Sequence, residues 1–201
     1  MRKGKPRQGK GYLSRKINIQ DEIPTFLIVC EGERTEPNYF RSFRVPTIRI
    51  EVKGLGFNTI SLVEAAIMEK ANHEYDQTWC VFDRDSFPAE NFNRAIFLAK
   101  EHDIKVAYSN EAFELWYLLH YHYYDTAIGR KEYCKRLTDL MGMEYKKNHP
   151  DIYRLLENRQ ASAIRNAEKL LTQYNPPRAE KDNPSTTVHL LVQELNRFAR
   201  G

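Results

Sequence analysis

Thr25-Phe26-Leu27-Ile28-Val29-Cys30 is an unbroken apolar run of strand length, the pattern of a strand buried on both faces of a parallel sheet. Residues 47–52 alternate Ile48, Ile50 and Val52 with polar side chains, which predicts a half-buried strand. Thr78-Trp79-Cys80-Val81-Phe82 and residues 104–108 read as two more strands. Helical periodicity fills the gaps. Pro37 suits a first helical turn leading through Tyr39, Phe40 and Phe43, with Thr35 as a cap. Asn58 is placed to cap a helix over 59–74, with Ile60, Val63, Ala66, Ile67 and Ala71 as its apolar stripe. A third helix, with Ile96, Phe97 and Ala99 facing inward, precedes the fourth strand. The order β-α-β-α-β-α-β predicts an α/β fold, a mostly parallel sheet covered by helices on both faces.

Beyond Asn110 the periodicity is helical throughout, over 111–124, 131–142, 150–157, 160–174 and 186–200. Asn175-Pro176-Pro177 and Asn183-Pro184 punctuate it. Ser185 or Thr186 can cap the last helix. Three segments result: a basic flexible arm over 1–20, an α/β domain over 21–125, and a helical extension over 126–201 packed on it.

Charge sharpens this division. Residues 1–16 carry seven basic side chains and no acid, and the rest of the chain holds 24 basic against 27 acidic residues. A basic, glycine-interspersed arm can neutralise nucleic-acid phosphates or serve as a solubilising tail. Cys30, Cys80 and Cys134 are odd in number and show no C-x-x-C spacing, which predicts reduced buried thiols in a cytoplasmic protein rather than a disulfide or zinc framework. No apolar run approaches a membrane span, and the basic arm lacks the apolar stretch of a secretory signal.

The acids gather where strands end. Glu31 follows the first strand, Asp83 and Asp85 the third, and Asn110 and Glu111 the fourth. In a parallel sheet those ends share one edge, where ligands bind. Crowded carboxylates raise each other's pKa unless a cation neutralises them. Mg²⁺ takes one or two carboxylates and completes its shell with water and phosphate. Glu31 with Asp83-Arg84-Asp85 therefore makes a candidate Mg²⁺ or Mn²⁺ site able to activate a phosphodiester. An Asp-x-Asp can instead cap the following helix. Asn110 can cap the next helix, with Glu111 and Glu114 favouring its dipole, or Glu111 can join the metal. His120 and His122, two residues apart, are not expected to ligate together. Trp116, Tyr117, Tyr121, Tyr123 and Tyr124 can stack on bases or pack in the core.

Four blocks carry a resemblance. Val29-Cys30-Glu31-Gly32-Glu33 with Thr35-Glu36-Pro37-Asn38-Tyr39-Phe40 comes first, and Phe82-Asp83-Arg84-Asp85 second. Ser109-Asn110-Glu111-Ala112-Phe113-Glu114-Leu115-Trp116 and Asn183-Pro184-Ser185-Thr186-Thr187 complete the set. In this order they resemble RloB-type proteins, related to the AbiL abortive-infection component. The resemblance implies a TOPRIM-like core, in which Glu31, Asp83 and Asp85 hold a divalent metal. It adds Glu36 as a second acid and Lys181 as a basic catalytic residue, with Glu111 as a further candidate. It implies a metal-dependent nuclease of a phage-defence system, acting on DNA or RNA, with an AAA-type ATPase partner and a homo-oligomer as an option. Two alternatives stay open: another phosphoryl- or nucleotidyl-transfer enzyme on the same site, and a non-enzymatic module that docks the ATPase.

Overall fold

The apolar run of the first strand takes an interior place in the sheet because it has no polar face to show to water. A computed structural model describes residues 23–84 and 88–199 of the chain. Strand β1 (Thr25–Cys30) leads through helix α1 (Thr35–Arg41) to β2 (Arg49–Gly54). Helix α2 (Thr59–Asn72) then leads to β3 (Gln77–Asp83), and α3 (Ala89–Glu101) to β4 (Lys105–Asn110). These four strands are parallel, in the order β2-β1-β3-β4. The expected α/β class is thus the observed one: a mostly parallel sheet flanked by helices.

Alternation along the strands divides the core in two. Phe26, Ile28, Cys30, Trp79, Val81 and Ala107 face α1 and the carboxyl-terminal helices. Leu27, Val29, Cys80, Phe82 and Tyr108 face α2 and α3, packing on Leu62, Val63, Ala66, Phe92, Ala95 and Ala99. Asn58 caps α2 as expected, its side chain accepting from the Ser61 N–H at 3.1 Å.

The rest of the chain covers the first of these faces. It forms α4 (Glu114–Leu119), α5 (Arg130–Met141), α6 (Ile152–Leu156), α7 (Gln160–Leu171) and the terminal α8 (Val188–Ala199). Between α7 and α8 it returns to the sheet. Strand β5 (Ser185–Thr186) pairs antiparallel with β4, Ser109 opposite Thr186 and Asn110 opposite Ser185.

Several details differ from the sequence reading. The helix expected over 111–124 is confined to Glu114–Leu119. The last helix begins at Val188, because Ser185 and Thr186 serve the sheet. The Thr186 hydroxyl donates to the Tyr108 carbonyl at 2.9 Å and also accepts from the Val188 N–H at 3.2 Å, so its capping role survives beside the strand. Thr35 is the first residue of α1 rather than its cap. Phe97 and Ala71 face solvent, since the buried sides of α3 and α2 run through Phe92-Ala95-Ala99 and Leu62-Val63-Ala66. The basic arm over 1–20 and Asp85 lie outside the described residues. Among the described residues no helix is long and apolar enough to cross a membrane.

Gly54, the last residue of β2, fixes how closely the loop after β1 lies against its neighbour. A Cβ there would stand 2.7 Å from the Gly32 carbonyl oxygen and 3.0 Å from Glu33 Cα, both backbone atoms. Gly54→Ala is expected to destabilise the fold by about 1–3 kcal/mol through overpacking. Urea unfolding at constant m-value checks this.

Candidate active site

The strand order reverses between β1 and β3. From β1 the chain crosses outward to β2, and from β3 it crosses the other way to β4. At such a switch point the flanking connections part and leave a crevice at the carboxyl ends of the strands. Glu31 follows β1 and Asp83 ends β3, so both carboxylates are delivered to that crevice. The two ends are tied together. The Glu31 N–H donates to the Val81 carbonyl at 2.9 Å, and Glu31 Oε2 accepts from the Asp83 N–H at 3.0 Å.

The crevice is a cleft of about 260 Å³ lined by Glu31, Glu36, Asp83 and Glu114, with Thr35, Arg130 and Lys147. Glu36 comes from the first turn of α1 and is buried. Its carboxylate lies over Gly32, where a Cβ would collide with it, so the Glu31-Gly32 pair is what admits this acid to the cleft. Glu114 opens α4 and is held by the Tyr145 hydroxyl at 3.3 Å and by Lys147 Nζ at 3.5 Å. Arg130 opens α5, with Nη2 3.5 Å from Asp83 Oδ2.

Four carboxylates against two cations leave the cleft short of positive charge. Burial raises Glu36 from 4.5 to about 7, and Glu114 and Glu31 add to it, against a backbone hydrogen bond and Lys147. Burial likewise holds Asp83 well above the carboxylate range, reinforced by Glu36, Glu114 and Glu31 and opposed by Arg130. Two buried oxygens, Glu36 Oε2 and Asp83 Oδ1, have no hydrogen-bond partner among the described residues. Orphaned buried acceptors are costly, and hard oxygens of this kind are what Mg²⁺ or Mn²⁺ takes. Among the described residues no group of three or more His, Cys, Asp or Glu is placed to hold a metal ion. Glu36 and Asp83 offer hard oxygens, the donor type that a Mg²⁺ or Mn²⁺ ion keeping part of its shell for water and phosphate would take.

The other sequence candidates fall elsewhere. Glu111 is half-buried and does not line the cleft, whereas Glu114, three residues on, does. Asn110 neither caps α4 nor enters the cleft, and its side-chain amide donates to the Ala179 carbonyl at 3.2 Å. Lys181 is exposed on a turn outside the cleft lining. That turn docks nearby, with Arg84 Nε donating to the Glu180 carbonyl at 3.3 Å. Arg130 and Lys147 went unnoticed in the sequence, because nothing in the helical half marks two cations about to reach back to the sheet edge. The aromatic cluster packs. Trp116 and Tyr117 are fully buried, while Arg159, Lys169 and Arg136 lie over Tyr121, Tyr123 and Tyr124. His120 is buried and its Nδ1 meets the Trp116 carbonyl at 2.8 Å.

A family model described as RloB-like protein matches residues 26–195. The chain belongs to that family. No curated protein and no solved structure matches it.

The raised Glu36 has a consequence for stability. Below its unfolded value of 4.5 both states are protonated and nothing is lost. Between 4.5 and about 7 the unfolded chain ionises first, so stability falls as pH rises, and above about 7 the penalty is constant. Glu36→Gln is therefore expected to raise the melting temperature of the metal-free protein at pH 8, on the order of 5 °C, and to leave it unchanged at pH 4. Thermal melts of both proteins across pH test the sign.

Proposed function

From the cleft and the family it belongs to, we propose that this RloB-like chain is a divalent-metal-dependent nuclease on a TOPRIM-like core. The observation that carries this reading is the pair of orphaned oxygens, Glu36 Oε2 and Asp83 Oδ1, at the strand-order switch point. They would hold Mg²⁺ or Mn²⁺, with Asp85 following in the same loop. A bound cation would polarise a phosphoryl oxygen and offset the charge that grows there. Glu31 is oriented by the Asp83 N–H to take a proton from an attacking water. Arg130 and Lys147 face the same space, where they offset phosphate charge and let a polyanion approach a cleft of acids. The basic arm adds non-specific hold on the backbone. A role in phage defence beside an AAA-type ATPase is what the family resemblance implies, with the ATPase proposed to gate the nuclease.

The test incubates the full chain with plasmid, single-stranded DNA and tRNA in Mg²⁺ or Mn²⁺, with and without its ATPase. We expect cutting that chelator abolishes and that Asp83→Asn lowers on the order of 100-fold. Release of phosphate or pyrophosphate from nucleotides without polymer cutting would move the reading to phosphoryl or nucleotidyl transfer. Full defence by cells carrying Asp83→Asn and Glu36→Gln would move it to a docking module for the ATPase.

A further inference from the structure

Phe57 is an aromatic side chain that the fold does not use. The residue is 47 % exposed. Leu55 and Ile60 on either side pack against the core under α2 and α3, and Phe57 belongs to neither core. It stands on the lip of the carboxylate cleft, in contact with the same space as Glu31, Asp83, Arg130 and Lys147. Its backbone is fixed at both ends. The Leu55 N–H donates to the Cys30 carbonyl at 3.1 Å and the Gly56 N–H to the Glu31 carbonyl at 2.9 Å, so the turn extends the β1 pairing. Gly56 takes φ +64, over the Glu33 side chain, and Asn58 then locks the start of α2. A half-exposed aromatic residue thus stands on an anchored turn beside the acids, while the tyrosine faces further along the chain carry cations.

We propose that Phe57 is a stacking platform for an unpaired nucleobase, and that the chain acts on single-stranded or frayed nucleic acid. This rests on the reading of the cleft as a phosphodiester site. A base inside a duplex has both faces covered by its neighbours, so only an unstacked base can meet the ring. Stacking tolerates any base, since each has a π-face. An apolar protein side chain fits less well, because apart from the buried Phe113 and two glycines the rest of the cleft lining offers carboxylates, a hydroxyl and two cations. With the proposed cation on the acids, a polyanion bearing flat rings matches both halves of the surface.

Binding without cutting decides it. Labelled DNA and RNA single strands of about 12 nucleotides, abasic strands of the same length and a blunt hairpin duplex are titrated with the full chain in Ca²⁺. Phe57→Ala and Phe57→Leu are expected to melt with the wild type, to weaken single-strand binding about 10-fold, and to leave abasic and duplex binding unchanged. Phe57→Trp adds an exposed indole to the buried Trp79 and Trp116. Its fluorescence should be quenched by single strands and not by abasic ones. Equal single-strand binding by wild type, Phe57→Ala and Phe57→Leu overturns the proposal and leaves the ring to a protein contact, as does an indole that no base quenches. Asp83→Asn separates the two readings: cutting that survives it in Mg²⁺ removes the metal site, while base-dependent binding by Asp83→Asn in the Ca²⁺ titrations leaves the Phe57 platform standing.

Discussion

The pairing of β1 with β3 governs the rest of the molecule. Five residues of each strand lie side by side, and from that seam the connections depart to opposite sides and opposite faces. Helix α1 covers one face on its way to β2, while α2 and α3 cover the other. Because the helices part there, the carboxyl end of the seam is left uncovered, and the residues that follow the two strands are forced into proximity. Glu31 and Asp83 are bound to each other by a main-chain N–H and a carboxylate, so the fold itself builds the acidic edge.

Crowding the acids is expensive, and the surroundings show how it is sustained. Gly32 supplies the room for the Glu36 carboxylate, and Gly54 supplies the room for the loop that carries Gly32. Neither side chain could grow without displacing main chain or acid. The helical half contributes the counter-charges. Arg130 sits against Asp83, and Lys147 with Tyr145 sits against Glu114. The balance is incomplete, and Glu36 and Asp83 hold protons more tightly than carboxylates in water do. Under the proposed metal reading, a cation arriving there would displace those protons.

Much of the fold was legible because burial on both faces leaves an unmistakable trace. The apolar run 25–30 and the strand 78–82 could only be interior strands, and from their order followed the edge where Glu31 and Asp83 meet. What stayed hidden depends on contacts between distant parts of the chain. Periodicity extended α4 back to residue 111, and so ranked Glu111 ahead of Glu114, but the helix starts later and only Glu114 turns into the cleft. Ser185 and Thr186 look like a cap because hydroxyls before an apolar run usually are, and their pairing with Ser109 and Asn110 has no local signature. Arg130 and Lys147 resemble any surface cation until the tertiary path of α5 and its following loop is known. The exposure of Phe57 has no signature in the sequence.

The two-residue strand β5 sets an order of events in the cell. Glu31 and Asp83 leave the ribosome well before residues 178–186 exist. Until those arrive, the outer edge of β4 has no partner, and the side chains of Arg84 and Asn110 lack the carbonyls of Glu180 and Ala179 that hold them. Arg84 is already tied to β4 through its N–H, which donates to the Ser109 carbonyl at 2.7 Å, and its side chain gains the Glu180 carbonyl only when that turn arrives. A nascent chain shorter than that carries a bare sheet edge, which invites chaperones or aggregation.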